Sequence, residues 1–187
     1  MGISPNKPIF VVDLDDVINN LVEVWLEEYN RKYNDSVIID DIKGWDIGSY
    51  TKAGNEMYVL LDTPKLFSRL RIKENCAEVL KWAIGYFDVQ IVSASRANTI
   101  MDKVEFLQRE LPFIPVTSFN AVTNKYLIKS DVMIDDKPEN LMYATGIRLL
   151  FDRPWNEDCK KYTRVKDWEA VKRILKNYLE NEVQFHG

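Results

Sequence analysis

Asp13 and Asp15 stand two residues apart at the end of an apolar run, Ile9-Phe10-Val11-Val12. The run reads as a strand buried in a parallel sheet. In open α/β sheets, ligands sit just beyond the carboxyl ends of the strands. Period 2 aims both carboxylates the same way if the strand geometry persists. Two acids at such an edge suit a metal site, or a nucleophile with a proton-transfer partner. The plain alternative is that Asp13 caps the following helix or opens a turn; the rest of the chain weighs against it.

Two further apolar runs end in polar groups. Val89-Gln90-Ile91-Val92 runs into Ser93-Ala94-Ser95, and Asp131-Val132-Met133-Ile134 runs into Asp135-Asp136. Lys125 lies ten residues before Asp135, after a weaker strand near 118–122. If these strands are parallel, four carboxylates, a hydroxyl and a lysine collect at one edge. Unpaired, the carboxylates would repel one another, so a bound cation is the natural compensation. His186 is the only histidine. Triads built on His, His-rich zinc sites and phosphohistidine chemistry are therefore excluded. Catalysis must rest on carboxylates, lysines and hydroxyls, and a metal should be a hard, oxygen-liking cation.

These groups need elements to position them. Apolar residues at Leu21, Val22, Trp25, Leu26 and Tyr29 predict a helix over 18–33. The stretch 34–70 is irregular, with Gly44, Gly48, Gly54 and Pro64 among the rings Trp45, Tyr50, Tyr58 and Phe67. It reads as short helices rather than strands. Helices are predicted at 74–86, at 98–110 (ended by Pro112), after Pro138, and at 168–179, with a last strand at 147–151. The charged stretch 102–110 reads as a solvated face. Strand and helix alternating in this way predict an α/β fold: a Rossmann-like, doubly wound parallel sheet. The segment 17–72 breaks the alternation just after the first strand. It reads as a small helical cap inserted over the carboxyl edge, with residues 1–16 and 73–187 forming the core.

Composition narrows the partners. At 187 residues with 46% hydrophobic residues, one domain with a sizeable core is expected. The net charge of −4 argues against binding polymeric nucleic acid, but not against a single nucleotide. No apolar run of membrane-spanning length occurs. Met1–Asn6 lack the pattern of a signal peptide, and Asn6 stands where a myristoylation site wants Ser or Thr. Cys76 and Cys159 are isolated and read as reduced, structural thiols of a cytoplasmic protein. Oligomeric state is open, a homodimer included.

Taken in order, Asp13-Leu14-Asp15-Asp16-Val17, Ser93, Lys125 and Asp135-Asp136 resemble the four motifs of the haloacid dehalogenase-like phosphatases. A closer resemblance, over about residues 8–178, is to the 5'(3')-deoxyribonucleotidase family. It rests on the short helical cap, on Asn124-Lys125 through Lys129-Ser130-Asp131-Val132-Met133-Ile134-Asp135-Asp136-Lys137-Pro138, and on Arg164-Val165-Lys166-Asp167-Trp168. Two departures stand out. Ser93 replaces the usual Thr, keeping the hydroxyl. Asp16 replaces a frequent Gly and adds a negative charge near a site for an anion.

The resemblance implies a mechanism consistent with the residue chemistry. Asp13 attacks phosphorus to form an aspartyl-phosphate, and Asp15 first protonates the leaving oxygen and then activates water. The Asp13 and Asp135 side chains and the Asp15 backbone carbonyl hold Mg²⁺, with Asp136 a supporting polar partner. Lys125, preferred over Lys129 for its family-like spacing to Asp135, offsets phosphate charge, and Ser93 and the Ala94 amide bind phosphate oxygens. Trp45 and Phe67 are the expected nucleobase walls, with Leu21 and Lys137 as weaker contacts. Trp25, Trp82, Trp155 and Trp168 are assigned to packing, while Tyr50 and Tyr58 could equally be cap core. The implied activity is magnesium-dependent dephosphorylation of (deoxy)ribonucleoside monophosphates. A phosphatase for another small phosphomonoester and a catalytically inert binding module on the same fold are the alternatives.

Overall fold

A computed structural model describes residues 7–62 and 66–186, with the side chains of residues 182–186 excepted. Met1–Asn6, Pro64 and the His186 side chain, all read above, lie outside what is described. Six parallel strands form one sheet: β1 (Ile9–Asp13), β2 (Asp88–Ala94), β3 (Phe119–Val122), β4 (Val132–Asp135), β5 (Ile147–Phe151) and β6 (Thr163–Val165). Their order is β3-β2-β1-β4-β5-β6. The sheet grows from β1 in both directions, so a switch point lies between β1 and β4. A crevice opens at such a point in this class of sheet.

The helices are α1 (Leu21–Tyr33), α2 (Cys76–Ala83), α3 (Ile100–Glu110), the short α4 (Pro138–Leu141) and α5 (Trp168–His186). Alternation along the strands divides the core. Phe10, Val12, Val89, Ile91, Ile134 and Leu149 join α2, α3 and α5 on one face. Val11, Val92, Met133 and Leu150 join Leu141 of α4 on the other. Strands apolar on both sides are what a fully covered parallel sheet requires. Trp168, fully buried, donates its indole N–H to the Val17 carbonyl at 3.2 Å and ties α5 to the exit of β1. Truncating it to Ala should cost about 3–5 kcal/mol.

Between β1 and α2 the chain builds a second, smaller core. Val22, Trp25, Leu26 and Tyr29 of α1 pack on Ile42, Ile47, Met57 and Leu60. Beyond α1 this segment consists of 3₁₀ turns, Ile39–Asp41, Ile47–Tyr50, Gly54–Asp62 and Phe67–Arg69. Its two connections to the sheet are hydrogen-bonded to each other. Lys73 N–H meets the Ile18 carbonyl at 2.8 Å, and Arg71 N–H meets Asn20 Oδ1 at 2.8 Å.

Three differences from the sequence reading have physical causes. β6 was not expected: Thr163-Arg164-Val165 is too short for a periodic signal, and only Val165 is buried. α5 runs past 179 through a polar tail with no apolar spacing. The stretch 102–110 is not a solvated face, because Lys103, Phe106 and Leu107 turn inward from α3.

Candidate active site

β1 and β4 deliver Asp13 and Asp135 side by side at the carboxyl edge, both buried. Lys125, from the 3₁₀ turn after β3, inserts between them. Its Nζ is 2.5 Å from Asp13 Oδ1 and 2.7 Å from Asp135 Oδ2. The Lys137 backbone N–H and Asn140 Nδ2 also donate to Asp135, at 2.9 and 3.0 Å. Lys129, the rival of Lys125, is exposed.

Asp136 is turned into the same cluster. Ligand oxygens of Asp13, Asp135 and Asp136 all lie within 4.8 Å of one another, the one such acid group found among the described residues. Trp155 Nε1 donates to Asp136 Oδ2 at 2.9 Å, while Asp136 Oδ1 is buried without a partner. Three buried acids facing one lysine, with an orphaned carboxylate oxygen among them, fit a divalent cation with oxygen ligands. Asp136, expected to stand behind the cluster as a supporting partner, thus has its carboxylate inside it. The Asp15 carboxylate lies outside the cluster.

The electrostatics follow from burial. Burial, with the charges of Asp135 and Asp15, pushes Asp13 up to about 7 against the pull of Lys125. Burial, then the neighbouring Asp13, Asp135 and Asp16, raises Asp136 well above the usual carboxylate range. Burial works against the Lys125 ammonium, but Asp13 and Asp135 outweigh it and hold that lysine charged.

Asp15 leads away from the cluster. Its Oδ2 accepts from Lys103 Nζ at 2.5 Å and from Ser93 Oγ at 3.3 Å, and Lys103 Nζ also donates to Ser93 Oγ at 2.8 Å. Asn19 Nδ2 donates to Oδ1 at 3.1 Å. Burial would raise Asp15, but the charge and hydrogen bond of Lys103 prevail and hold it below its ordinary value. Lys103 was missed in the sequence. Its only signal is its place on the apolar stripe of α3, three and four residues before Phe106 and Leu107.

Asp16 plays a different part from the one its charge suggested. It lies at φ 59°, the left-handed region where Gly is favoured and Asp tolerated. Its carboxylate accepts the Val22 N–H at 3.0 Å, satisfying a free donor in the first turn of α1, and pairs with Arg153 at 3.1 Å. Burial pushes it up to about 7, with Arg153 and Lys73 opposing. Its two oxygens are thus engaged by the α1 N-terminus and Arg153, while the residue still borders the cavity above the acids.

Above the acids opens a cavity of about 740 Å³. Asp13, Asp15, Ala94, Lys125 and Asp136 line its floor, and Leu21, Trp45 and Lys137 line its walls. Trp25, assigned to packing, does pack in the smaller core but also lines the cavity, as does Tyr58, left open between cavity and core; Tyr126 and Tyr143 join them without having been singled out. Lys137 Nζ lies 4.5 Å from the centre of the Trp45 ring, over its face. Trp45 meets Trp155 edge to face at 6.5 Å, so Trp155, assigned to packing, links this wall to Asp136. Two expectations fail here. Phe67 does not line the cavity: its 3₁₀ turn folds back onto α3 and buries the ring in the main core, 5.7 Å below Lys103 Nζ. Ser93 is buried behind Asp15, its hydroxyl engaged by Lys103 and Asp15 rather than facing the cavity.

Residues 7–179 match the family model of the 5' nucleotidase, deoxy (Pyrimidine), cytosolic type C proteins. The 5'(3')-deoxyribonucleotidase of Clostridium acetobutylicum is 34% identical over 179 residues, 93% of this chain and 99% of its own length. That of Bacillus subtilis is 34% identical over 172 residues, 90% of this chain and 99% of its own. Among solved structures, a haloacid dehalogenase-like hydrolase from Burkholderia xenovorans superposes with a TM-score of 0.63 at 13% identity, covering 94% of this chain and 99% of the other. A hydrolase of the same superfamily from Geobacter sulfurreducens gives 0.60 at 12% identity, covering 92% and 100%. Likeness at that level of identity establishes the fold.

Proposed function

The chain belongs to the family of the 5' nucleotidase, deoxy (Pyrimidine), cytosolic type C proteins, and on that premise we propose that it is a magnesium-dependent 5'(3')-deoxyribonucleotidase working through a phosphoryl-aspartate on Asp13. The observation that carries this reading is the Asp13 carboxylate at the floor of the cavity, held by Lys125 beside Asp135 and Asp136. An anionic nucleophile facing a phosphate dianion needs positive charge close by, and charge stabilisation is the main task in phosphoryl transfer.

In the first half-reaction an Asp13 oxygen bonds to phosphorus as the bond from phosphorus to the sugar oxygen breaks. The leaving oxygen takes a proton from Asp15, which must enter this step protonated against the pull of Lys103, giving the free nucleoside. In the second, water attacks phosphorus, its proton passes to the Asp15 carboxylate, and Asp13 departs as a carboxylate with orthophosphate released. Lys125 stays charged beside the nucleophile through both halves. The Ala94 amide is the candidate donor to the phosphoryl oxygens, and the Trp45 ring with Lys137 over it is the candidate wall for the base. Mg²⁺, held by Asp13, Asp135 and Asp136 with the Asp15 backbone carbonyl, would supply further positive charge against the phosphoryl group. Among the described residues no helix is long and apolar enough to cross a membrane, and the setting inferred is the cytoplasm, where free nucleotides are held.

The test is phosphate release from 5'- and 3'-deoxynucleotides, ribonucleotides and sugar phosphates, with Mg²⁺ or EDTA, for the wild type and Asp13→Asn. Deoxynucleotide turnover that needs Mg²⁺ and vanishes in the variant supports the reading. Turnover of sugar phosphates alone would keep the chemistry and remove the nucleotide.

A further inference from the structure

We propose that Lys103 is a positioning residue for Asp15, fixing its carboxylate for the step in which water hydrolyses the phosphoryl group from Asp13. The inference rests on the phosphoryl-aspartate reading above and adds to it a residue from outside the four strand-end motifs.

The geometry is that of a closed cage. Lys103 Nζ reaches Asp15 Oδ2 at 2.5 Å and Ser93 Oγ at 2.8 Å, and Ser93 Oγ donates to the same Oδ2 at 3.3 Å. Asn19 Nδ2 holds Oδ1 at 3.1 Å, and the Asn19 oxygen is itself fixed by the Asp16 and Leu21 N–H groups at 3.1 and 3.0 Å. Lys103 and Ser93 are both nine-tenths or more buried, whereas the Asp15 carboxylate keeps one open side on the cavity.

A buried ammonium is costly unless paired. Nothing in the packing of α3 requires one here, since Phe106 and Leu107 supply that face's apolar contact. Lys103 lies behind Asp15 rather than on the cavity wall. It therefore acts through the carboxylate and not on the substrate. Short charged contacts fix an acid far better than one side-chain torsion can, and catalytic geometry must hold to within a fraction of an ångström.

The two half-reactions can be separated with p-nitrophenyl phosphate, whose leaving phenolate needs no proton. Release of p-nitrophenolate in the first turnover reports bond formation at Asp13. The steady state reports hydrolysis, in which water loses its proton to Asp15. Lys103→Met is expected to keep a burst of p-nitrophenolate at near the wild-type rate. Its steady state should fall about 100-fold, the scale of one proton-transfer group, with acid-stable phosphoprotein accumulating. Lys103→Arg, which retains two-point donation, should recover most of the turnover. The burst amplitude counts folded sites in the same sample, so partial unfolding cannot mimic the result.

A burst rate that falls in step with the steady state, with no phosphoprotein, would place Lys103 on the phosphoryl group and overturn the inference. So would unchanged turnover in Lys103→Met. Failure of the underlying reading looks different: neither protein would carry phosphate on Asp13, and Asp13→Asn would still turn over.

Discussion

Asp16 and Arg153 form a 3.1 Å ion pair that joins the exit of β1 to the loop after β5. The same Arg153 Nη2 holds Glu23 of α1 at 2.9 Å, and the other Asp16 oxygen accepts the Val22 N–H of that helix. A carboxylate in left-handed backbone thus anchors the helix that roofs the cavity. Asp16→Gly relieves backbone strain but leaves the Val22 N–H without its acceptor and Arg153 with Glu23 as its one carboxylate partner. The expected outcome is a net loss of about 1–3 kcal/mol in denaturant unfolding, with Asp16→Asn losing less. A Gly variant as stable as the wild type would remove Asp16 from this structural role.

The acids at the strand ends also set a pH dependence. Asp13 moves from 3.8 in the unfolded chain to about 7 in the metal-free fold. Between these values the folded protein binds more protons at this site than the unfolded one, so the contribution of Asp13 to stability falls as pH rises from about 4 to about 7. In EDTA, the stability of the wild type relative to Asp13→Asn should therefore decline across that window, read by urea unfolding at several pH values. A cation among the three acids reverses the sense, because it favours the ionised forms. Mg²⁺ should accordingly raise the unfolding midpoint at pH 7.5 more than at pH 5.

Lys125 balances two buried carboxylates at once. Lys125→Met leaves them facing each other. About 3–5 kcal/mol of stability should go in EDTA, as for any buried ion pair broken from one side. Turnover should fall by about 10²–10³, the loss seen when a donor to a developing oxyanion is removed. Lys129→Met, on an exposed side chain, is the control and should change neither.

The two rings expected to wall the base should separate by experiment. Trp45 lines the cavity, half exposed, under Lys137. Trp45→Ala should raise KM for a deoxynucleotide about tenfold, the low end of base stacking on an aromatic, and leave competitive inhibition by inorganic phosphate unchanged. Phe67 is buried in the main core. Phe67→Leu should lower the unfolding midpoint without moving KM.

What the sequence revealed and what it hid divide along physical lines. The parallel sheet and its strand-end acids were legible because a strand buried on both faces leaves a continuous apolar run, and Asp13, Ser93 and Asp135 break such runs abruptly. Lys125 was legible through its spacing to Asp135. Lys103 was not, since a lysine on a helix is ordinarily solvated and only tertiary packing turns this one inward. Phe67 misled for the converse reason: a ring in a Gly- and Pro-bearing segment carries no mark of whether it meets ligand or core. The pairing of Asp16 with Arg153 joins residues 137 positions apart, beyond any local pattern. Asp136 was already legible as one of the strand-end acids, but only its unpartnered oxygen in the fold moved it from a supporting position into the cluster.

The central claim is that Asp13 becomes covalently phosphorylated. The most direct test is to mix the enzyme with Mg²⁺ and a deoxynucleoside monophosphate, quench in acid within the first turnovers, and weigh the peptide containing Asp13. The account predicts a phosphoryl group on that peptide, present in the wild type, enriched in Lys103→Met and absent in Asp13→Asn. Full turnover with no phosphoryl adduct on that peptide in either wild type or Lys103→Met, together with an active Asp13→Asn, would contradict it.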